Sequence, residues 1–514
     1  MLTHTNRLSL FLLILIAFLT TGATSSIAQD WGFYEGNTKQ TKFLKTIKPD
    51  QPATEFELST LNINQAMDNE IFIGDVLGNG RQQIVSVTTE PLSLVVFDPV
   101  SSETTLIPLI GPSEKTGTSD EFNSIQYLFE MDDQPGLEVL CNIGNRANQK
   151  TVFQIVSPRQ KKVISHFEGL IGDDIDGDGE WTGAELGFVV FQSASGKWKL
   201  FSRASAGHSD YKPRSINIWD IESKQLELQF HTATPSPIPA FFRDTEGVMH
   251  FFIVPHTPDN WIKVNGERIL DENGNYINVS ETVNGILIKD NEAYDKYFTY
   301  DDSKPGQPAL NMQWMNKRGN LMSGKSMITK SREGNDLAVS CDSYIRAWDL
   351  TSTGSIHVYD LFSGEIIAEY AADPETSILD MVAIDGEEQI YAIQQESPVL
   401  YHYDIREGLK NSVVLSEDPN ARVLLGGATD MNGDGDADIV IKLIEFGAQS
   451  VQIYNSDLTL LDEIDTPYSN KCAIADNDRD GFPEVYLLDE VTRSEIHVIE
   501  YQPPASQANF YNLY

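Results

Sequence analysis

The chain has 514 residues, with 37 Lys and Arg against 76 Asp and Glu, a formal net charge of −39 and 40% hydrophobic residues. A surface this acidic repels phosphate backbones, which sets nucleic acid aside as a partner, and the apolar content suffices for a packed core and excludes wholesale disorder. Three cysteines (Cys141, Cys341, Cys472) are too few and too scattered for a disulfide framework, and each reads as a small hydrophobe in a strand.

In chain order, Arg7 precedes an apolar run from Leu8 to Leu19, and Ser26-Ile27-Ala28 follows as a small-x-small cleavage pattern. The run is too short and too N-terminal for a membrane span. The expectation is a cleaved secretory signal over 1–28 and a periplasmic or extracellular mature chain with no membrane insertion. No cysteine stands directly after the run, so no lipoprotein anchor is expected.

Two units then alternate. The first is an acidic or glycine-bearing turn running into a β-branched strand, with copies near residues 75, 132, 174, 244, 334, 385, 430 and 476. The second is an alternating strand that ends in an aromatic followed by Asp or Asn: Phe97-Asp98, Trp219-Asp220, Tyr359-Asp360, Tyr403-Asp404 and Tyr454-Asn455. A repeat of roughly 40–50 residues with four short strands is what a propeller blade requires. The expected fold is therefore all-β, a single β-propeller over 29–514 with seven or eight blades, eight being favoured by the number of turns. The interval from 244 to 334 is too long for one blade and points to an insertion at about 256–320, with Asn273-Gly274 as a hairpin turn. Its aromatics, Trp261, Tyr276, Tyr294, Tyr297, Tyr300 and Trp314, make it the first choice for a binding face, with a blade-capping flap as the alternative. The last repeat offers only three strands, so a strand at Thr41–Lys48 is expected to complete it and close the ring.

Three turns have the composition of a calcium cage. Calcium takes six to eight oxygens, and carboxylates at alternate positions of a tight loop converge on one ion where a glycine lets the backbone turn. Asp476, Asp478 and Asp480 alternate before Gly481, with the Phe482 carbonyl and Glu484 completing the set. Asp430, Asn432 and Asp434 do the same before Gly435, with the Asp436 backbone position and Asp438. Asp174, Asp176 and Asp178 precede Gly179, Glu180 and Glu185 and match the EF-hand spacing, but both flanks read as strands, so a loop within a β blade is expected. About three calcium ions, structural rather than catalytic, follow from this count.

The turns DMNGDGDADIVI and DNDRDGFPEVYL, which lead straight into strands, resemble the FG-GAP and VCBS repeats of integrin α-subunit propellers and of many secreted bacterial proteins. The resemblance implies a propeller in which each such loop holds calcium between two strands of one blade. The copy at Asp75 departs from the pattern at Leu77 and Asn79. The copy at Asp132 reads as shortened and carries Pro135.

No nucleophile elbow, zinc-protease helix, phosphate loop or Cys-His zinc spacing is present. The expected function is thus a secreted, non-enzymatic module that binds a protein or glycan. The alternative is a calcium-dependent polysaccharide lyase of the rhamnogalacturonan lyase type, whose propellers share fold and metal.

Overall fold

The computed structural model describes Leu44 and residues 55–502, apart from 68–70, 112–120, 133, 146–149, 170–182, 207–214, 232–238, 255–262, 265–266, 269–279, 284–285, 290–292, 320–323, 343–354, 372–377, 395–397, 419, 468, 470–471 and 479. The expected signal segment lies outside the described residues. Every regular element described is a β-strand, and eight four-stranded antiparallel sheets form an eight-bladed propeller. Blade 1 covers residues 72–108, blade 2 121–168, blade 3 183–231, blade 4 240–319, blade 5 324–371, blade 6 378–414 and blade 7 422–465. Blade 8 takes three strands from 472–502 and its fourth from the N-terminal side.

Burial explains the sequence pattern. Middle strands such as Gln83–Thr89 and Asp438–Glu445 are buried almost throughout, because each is covered by a neighbouring blade on either side. They accordingly read as β-branched runs. Fourth strands such as Lys162–Glu168 lie at the rim and alternate between exposed and covered positions. Seven apolar clusters link the blades in a circle: blades 1 and 2, 2 and 3, 3 and 4, 4 and 5, 5 and 6, 6 and 7, and finally 7, 8 and 1 together. Cys141 and Cys341 are fully buried within them and form no disulfide.

Ring closure uses a different strand from the one expected. Glu55–Asn62 pairs antiparallel with Glu495–Gln502 over its whole length, from Glu55 opposite Gln502 to Asn62 opposite Glu495. Within Thr41–Lys48 only Leu44 is described. It is buried and donates its N–H to the Ala428 carbonyl at 2.9 Å, beside blade 7. Phe56 and Leu61 of this strand pack against the core cluster, whereas Leu58 is exposed, as suits an outermost strand.

The expected insertion is shorter than 256–320. Blade 4 leaves its second strand at Ile253 and returns at Ala293, and Ala293–Tyr300 and Leu310–Gly319 are its third and fourth strands. Two small hairpins, Lys263–Val264 with Glu267–Arg268 and Ser280–Val283 with Ile286–Lys289, lie on the excursion. Tyr297, Tyr300 and Trp314 therefore belong to the core and not to an exposed face. The Trp314 indole donates to the Leu361 carbonyl at 2.7 Å, and its ring lies so close to Gly364 that a Cβ there would meet it at 2.6 Å. Trp261, Tyr276, Asn273 and Gly274 lie outside the described residues, as does the Tyr294 side chain.

Antiparallel order fixes which turns share a face. The turns joining first to second and third to fourth strands emerge at one end of every blade, and the others emerge at the opposite end. Seven of the eight acidic turns join first to second strands, and the aromatic-Asp unit ends third strands, so both units crowd one face. The exception is the acidic run at 174, which connects blade 2 to blade 3 instead of lying inside a blade. In blade 3 the first-to-second turn is residues 193–197.

Candidate metal centres

The blade 7 turn runs from Asp430, just after strand Arg422–Thr429, to Asp438, which opens strand Asp438–Glu445. Gly433 (φ 77°) and Gly435 (φ 101°) adopt the left-handed conformation that folds the loop back on itself. Asp430 Oδ2 accepts from Gly435 N at 2.9 Å, Asn432 Oδ1 from Asp434 N at 2.9 Å, and Asp434 Oδ1 from Asp436 N at 2.8 Å. Asp438 Oδ2 accepts from Met431 N at 3.0 Å. Each acid thus uses one oxygen to shape the backbone. The other oxygens of Asp430 and Asp438 are buried with no hydrogen-bond partner. Burial, with Asp434 and Asp430 nearby, pushes Asp438 up to about 8, and burial also raises Asp430.

The blade 8 turn repeats this geometry. Asp476 Oδ2 accepts from Gly481 N at 3.2 Å, Asp478 Oδ1 from Asp480 N at 3.2 Å, Asp480 Oδ1 from Phe482 N at 2.8 Å, and Glu484 Oε2 from Asn477 N at 2.8 Å. Carboxylate oxygens of Asp476, Asp478 and Asp480 lie within 4.8 Å of one another. Burial and the adjacent Asp478 lift Asp480 to about 7, and burial holds Glu484 well above the usual carboxylate range. Glu500, on the third strand, is also raised to about 7 by burial and by Asp478, Asp480, Glu57 and Asp476. Its position 16 residues beyond the loop's closing acid is not signalled by any local motif.

A further turn has the same register, which the sequence reading missed. In blade 2, Met131 N donates to Glu138 Oε2 at 3.1 Å and Gln134 N to Asp132 Oδ1 at 3.1 Å, matching Met431 and Asp434 of blade 7. The loop is full length and starts at Glu130, so the acids are Glu130, Asp132 and Glu138, with Gln134 between. It is not shortened. Pro135 replaces the glycine and removes one backbone donor. The signal was the constant spacing of eight positions from first to closing residue: 75 to 83, 130 to 138, 430 to 438 and 476 to 484. Burial and Asp132 raise Glu138 to about 7.

In blade 1 the same turn is closed by an amide instead of a carboxyl. Gly80 N donates to Asp75 Oδ2 at 2.8 Å, as in the acidic loops, but the closing residue is Gln83. Its Nε2 donates to Asn79 Oδ1 at 3.1 Å and to the Arg81 carbonyl at 2.8 Å, the two positions equivalent to Asp480 and the Phe482 carbonyl. A side-chain amide thereby satisfies the oxygens that a cation would otherwise meet. The blade 1 and 2 turns also lean on each other: Leu137 N donates to the Asp75 carbonyl at 3.0 Å, and a Cβ on Gly78 would fall 2.2 Å from the Pro135 carbonyl oxygen.

Of the third expected set, Asp174, Asp176, Asp178 and Glu180 lie outside the described residues. Glu185 is in strand Gly183–Gln192 of blade 3, fully buried. Its Oε1 accepts from Asn217 Nδ2 and Trp219 Nε1, each at 2.7 Å, and from the Ser202 hydroxyl. Its Oε2 faces Gly169, where a Cβ would come within 2.9 Å.

The same face carries a pocket of ≈ 470 Å³ where the first strands of blades 2, 3 and 4 end. Tyr127, Trp198, Phe241 and Phe242 form its aromatic walls, and Glu130 and Arg243 its charged rim. Tyr127 stacks on Phe129 at 5.6 Å and meets Phe241 edge-on at 5.9 Å.

No family model matches the chain, and no curated protein matches it. Among solved structures it is similar to BamB from Moraxella catarrhalis, at 10% identity and a TM-score of 0.44, covering 86% of this chain and 98% of that one. It is also similar to the Dos1 propeller, at 10% identity and TM-score 0.42 over 73% of this chain and 76% of that one. BBS1N, solved in complex with ARL6DN, gives 8% identity and TM-score 0.43 over 89% and 99%. The likeness lies in the fold.

Proposed function

We propose that this protein is an exported, non-enzymatic binding module of the FG-GAP and VCBS type, whose propeller is stapled by calcium and engages a protein or glycan. The observation that carries the reading is the pair of buried, unpartnered oxygens of Asp430 and Asp438 inside an all-oxygen loop. Buried carboxylate oxygens need a partner, and a hard cation with six to eight oxygen ligands is the one this donor set suits. In blade 7 the ligands would be Asp430, Asn432, Asp434, the Asp436 carbonyl and Asp438. In blade 8 they would be Asp476, Asp478, Asp480, the Phe482 carbonyl and Glu484. The ion supplies charge neutralisation and shape, and stabilises only the folded ring.

The pocket of blades 2 to 4 replaces the insertion as the proposed binding face. Flat aromatic walls with charged groups at the rim suit the apolar face and hydroxyls of a sugar, so a neutral or basic glycan is the first ligand to test. Glu130 and Met131 belong to both the blade 2 turn and the pocket wall, so an ion in that turn would shape the pocket.

Calcium binding to chelator-stripped protein, measured by calorimetry, should show tight sites that Asp430→Asn and Asp480→Asn remove one at a time. A glycan array with and without calcium tests the binding face, with Trp198→Ala as control. Incubation with acidic polysaccharides, followed by ultraviolet absorbance of unsaturated ends, decides against this reading if calcium-dependent cleavage appears.

A further inference from the structure

Blade 8 closes the ring, and at the end opposite the acidic turns it carries a second, chemically different cluster. The turn between strands Glu484–Leu488 and Glu495–Gln502 brings Asp489, Glu495 and His497 together, with one donor atom from each lying within 4.8 Å of the others. We propose that these three residues form a site for a divalent transition metal of the zinc class, clasping the seam of the propeller.

Three observations support the assignment. The first concerns how the donors are held. Asp489 Oδ1 accepts from Val491 N and Thr492 N, both at 2.8 Å, so its orientation is fixed and Oδ2 faces His497. The Nδ1 of His497 lies 3.1 Å from Thr60 Oγ1, which orients the ring. With Nδ1–H donating to the hydroxyl, Nε2 carries the lone pair a metal needs, the usual outer arrangement of a histidine ligand.

The second is the separation of the donors. His497 Nε2 and Asp489 Oδ2 are 3.5 Å apart, and Nε2 is buried without a hydrogen-bond partner on a residue only 7% exposed. Ligands about 2.1 Å from a tetrahedral ion stand roughly 3.4 Å from each other, so this distance fits an ion between them. Glu495, half-buried, offers the third donor.

The third is the mixture of donors. The calcium-type loops offer only oxygen, whereas one imidazole nitrogen with two carboxylates suits zinc and its neighbours and is a poor match to calcium. The placement gives the ion a task. Thr60 lies on Glu55–Asn62, the strand that closes the ring, and the same turn binds the segment after that strand through Ile63 N to the Ser494 carbonyl (2.9 Å) and Met67 N to the Arg493 carbonyl (2.7 Å). A metal here would tie the two ends of the propeller through a single histidine.

Cobalt is the probe, because tetrahedral cobalt absorbs visible light. Full-length mature protein stripped with chelator should bind one equivalent of Co²⁺ with ligand-field bands, displaced by Zn²⁺ and untouched by Ca²⁺. His497→Gln and Asp489→Asn should weaken binding about 100-fold or more, and Thr60→Val about 10-fold through loss of the outer hydrogen bond. Asp438→Asn and Asp480→Asn should leave it unchanged, which separates this site from the calcium reading. Absence of a cobalt spectrum on folded wild-type protein would overturn the proposal. So would His497→Gln protein, folded by circular dichroism, that binds cobalt as wild type does.

Discussion

Replacing Asp438 with asparagine separates the two roles of its carboxylate. The residue is fully buried, Oδ2 holds Met431 N at 3.0 Å, and Oδ1 is without a hydrogen-bond partner. Burial and the neighbouring Asp434 and Asp430 lift it to about 8, so in the ion-free ring the neutral form dominates at pH 7. Asparagine is neutral and nearly isosteric, and its carbonyl can keep the Met431 contact. In chelator the variant should therefore melt at or above wild type, with the gain growing as pH rises from about 4 to about 8 and levelling off above, where the wild-type carboxyl has ionised in place.

On the calcium proposal, adding the ion should reverse the order. An ion present at about 100 times its Kd stabilises the folded state by about 2.7 kcal/mol per site. An unfolding entropy of about 2.1 cal/mol/K per residue, over the ring at 55–502, amounts to roughly 0.9 kcal/mol/K, so one site raises the melting temperature by about 3 °C. Asp438→Asn should lose one such increment and keep that of blade 8. Scanning calorimetry in chelator and across a calcium titration measures both quantities. A variant that melts several degrees low in chelator and retains the whole calcium shift would show instead that the carboxylate is a structural acceptor and no calcium ligand.

Other perturbations follow from the same geometry. Without calcium, folding favours the protonated forms of Asp438 (about 8), Asp480, Glu138 and Glu500 (each about 7). The stability they contribute is complete below about pH 4 and is lost as pH rises through about 7–8. Carboxyls lowered by a partner, such as Asp301 by Lys304, titrate below this window. The chelated melting temperature should thus fall from about pH 5 to about pH 8 and calcium should flatten the curve, whereas a chelated curve that rises over that range would contradict the shifts. Gln83→Glu removes two donors at a fully buried position and should cost about 1–3 kcal/mol in chelator, with part recovered by calcium; denaturant melts in both conditions measure it. Deleting residues 29–49 loses the burial of Leu44, about 2 kcal/mol, whereas deletion through 62 strips the closing strand and should abolish the cooperative melt.

The fold was legible because blade repetition forces the same local choices eight times. A strand covered on both sides must be β-branched, and a third strand ending in an aromatic and Asp caps its own turn, as Asp98 does for Val100 N and Ser101 N. One copy escaped notice: Tyr300-Asp301 ends the third strand of blade 4, and Asp301 accepts from Ser303 N at 3.0 Å in the same way. The excursion before Ala293 breaks the repeat spacing and so masks Ala293–Tyr300 and Leu310–Gly319 as blade strands. The loop at Glu130 escaped because Pro135 stands where glycine was sought, although the register depends on the first and closing acids. Closure was half legible: three strands in the last repeat demand a fourth, but neither EFELSTLN nor TKFLKTIK alternates strictly, and only the pairing with Glu495–Gln502 singles out the first. Glu500 and the pairing of Thr60 with His497 arise from strands distant in sequence, so no local pattern could announce them.

The long acidic turns are not spread around the ring. They occupy blades 7, 8, 1 and 2 in succession, with the Gln83 amide closing the one in blade 1, while blades 3 to 6 have short turns such as Asp244 to Val248, closed by Asp244 N to the Val248 carbonyl at 3.0 Å. The seam runs through the long-turn half, where Glu55–Asn62 pairs with Glu495–Gln502 and Ile63 and Met67 bond to the turn at 493–494. That half also gathers carboxyls raised by burial and, secondarily, by their acidic neighbours, so without ions the seam should be the weakest part of the ring, and with calcium it should be among the strongest. Hydrogen exchange read by peptide mass spectrometry tests this directly. Peptides covering 55–62 and 495–502 should gain protection on calcium addition by much more than peptides of blades 4 and 5. Equal gains in all blades would mean that the ions stabilise the ring as a whole and that the crowding of acids at the seam has no bearing on how it opens.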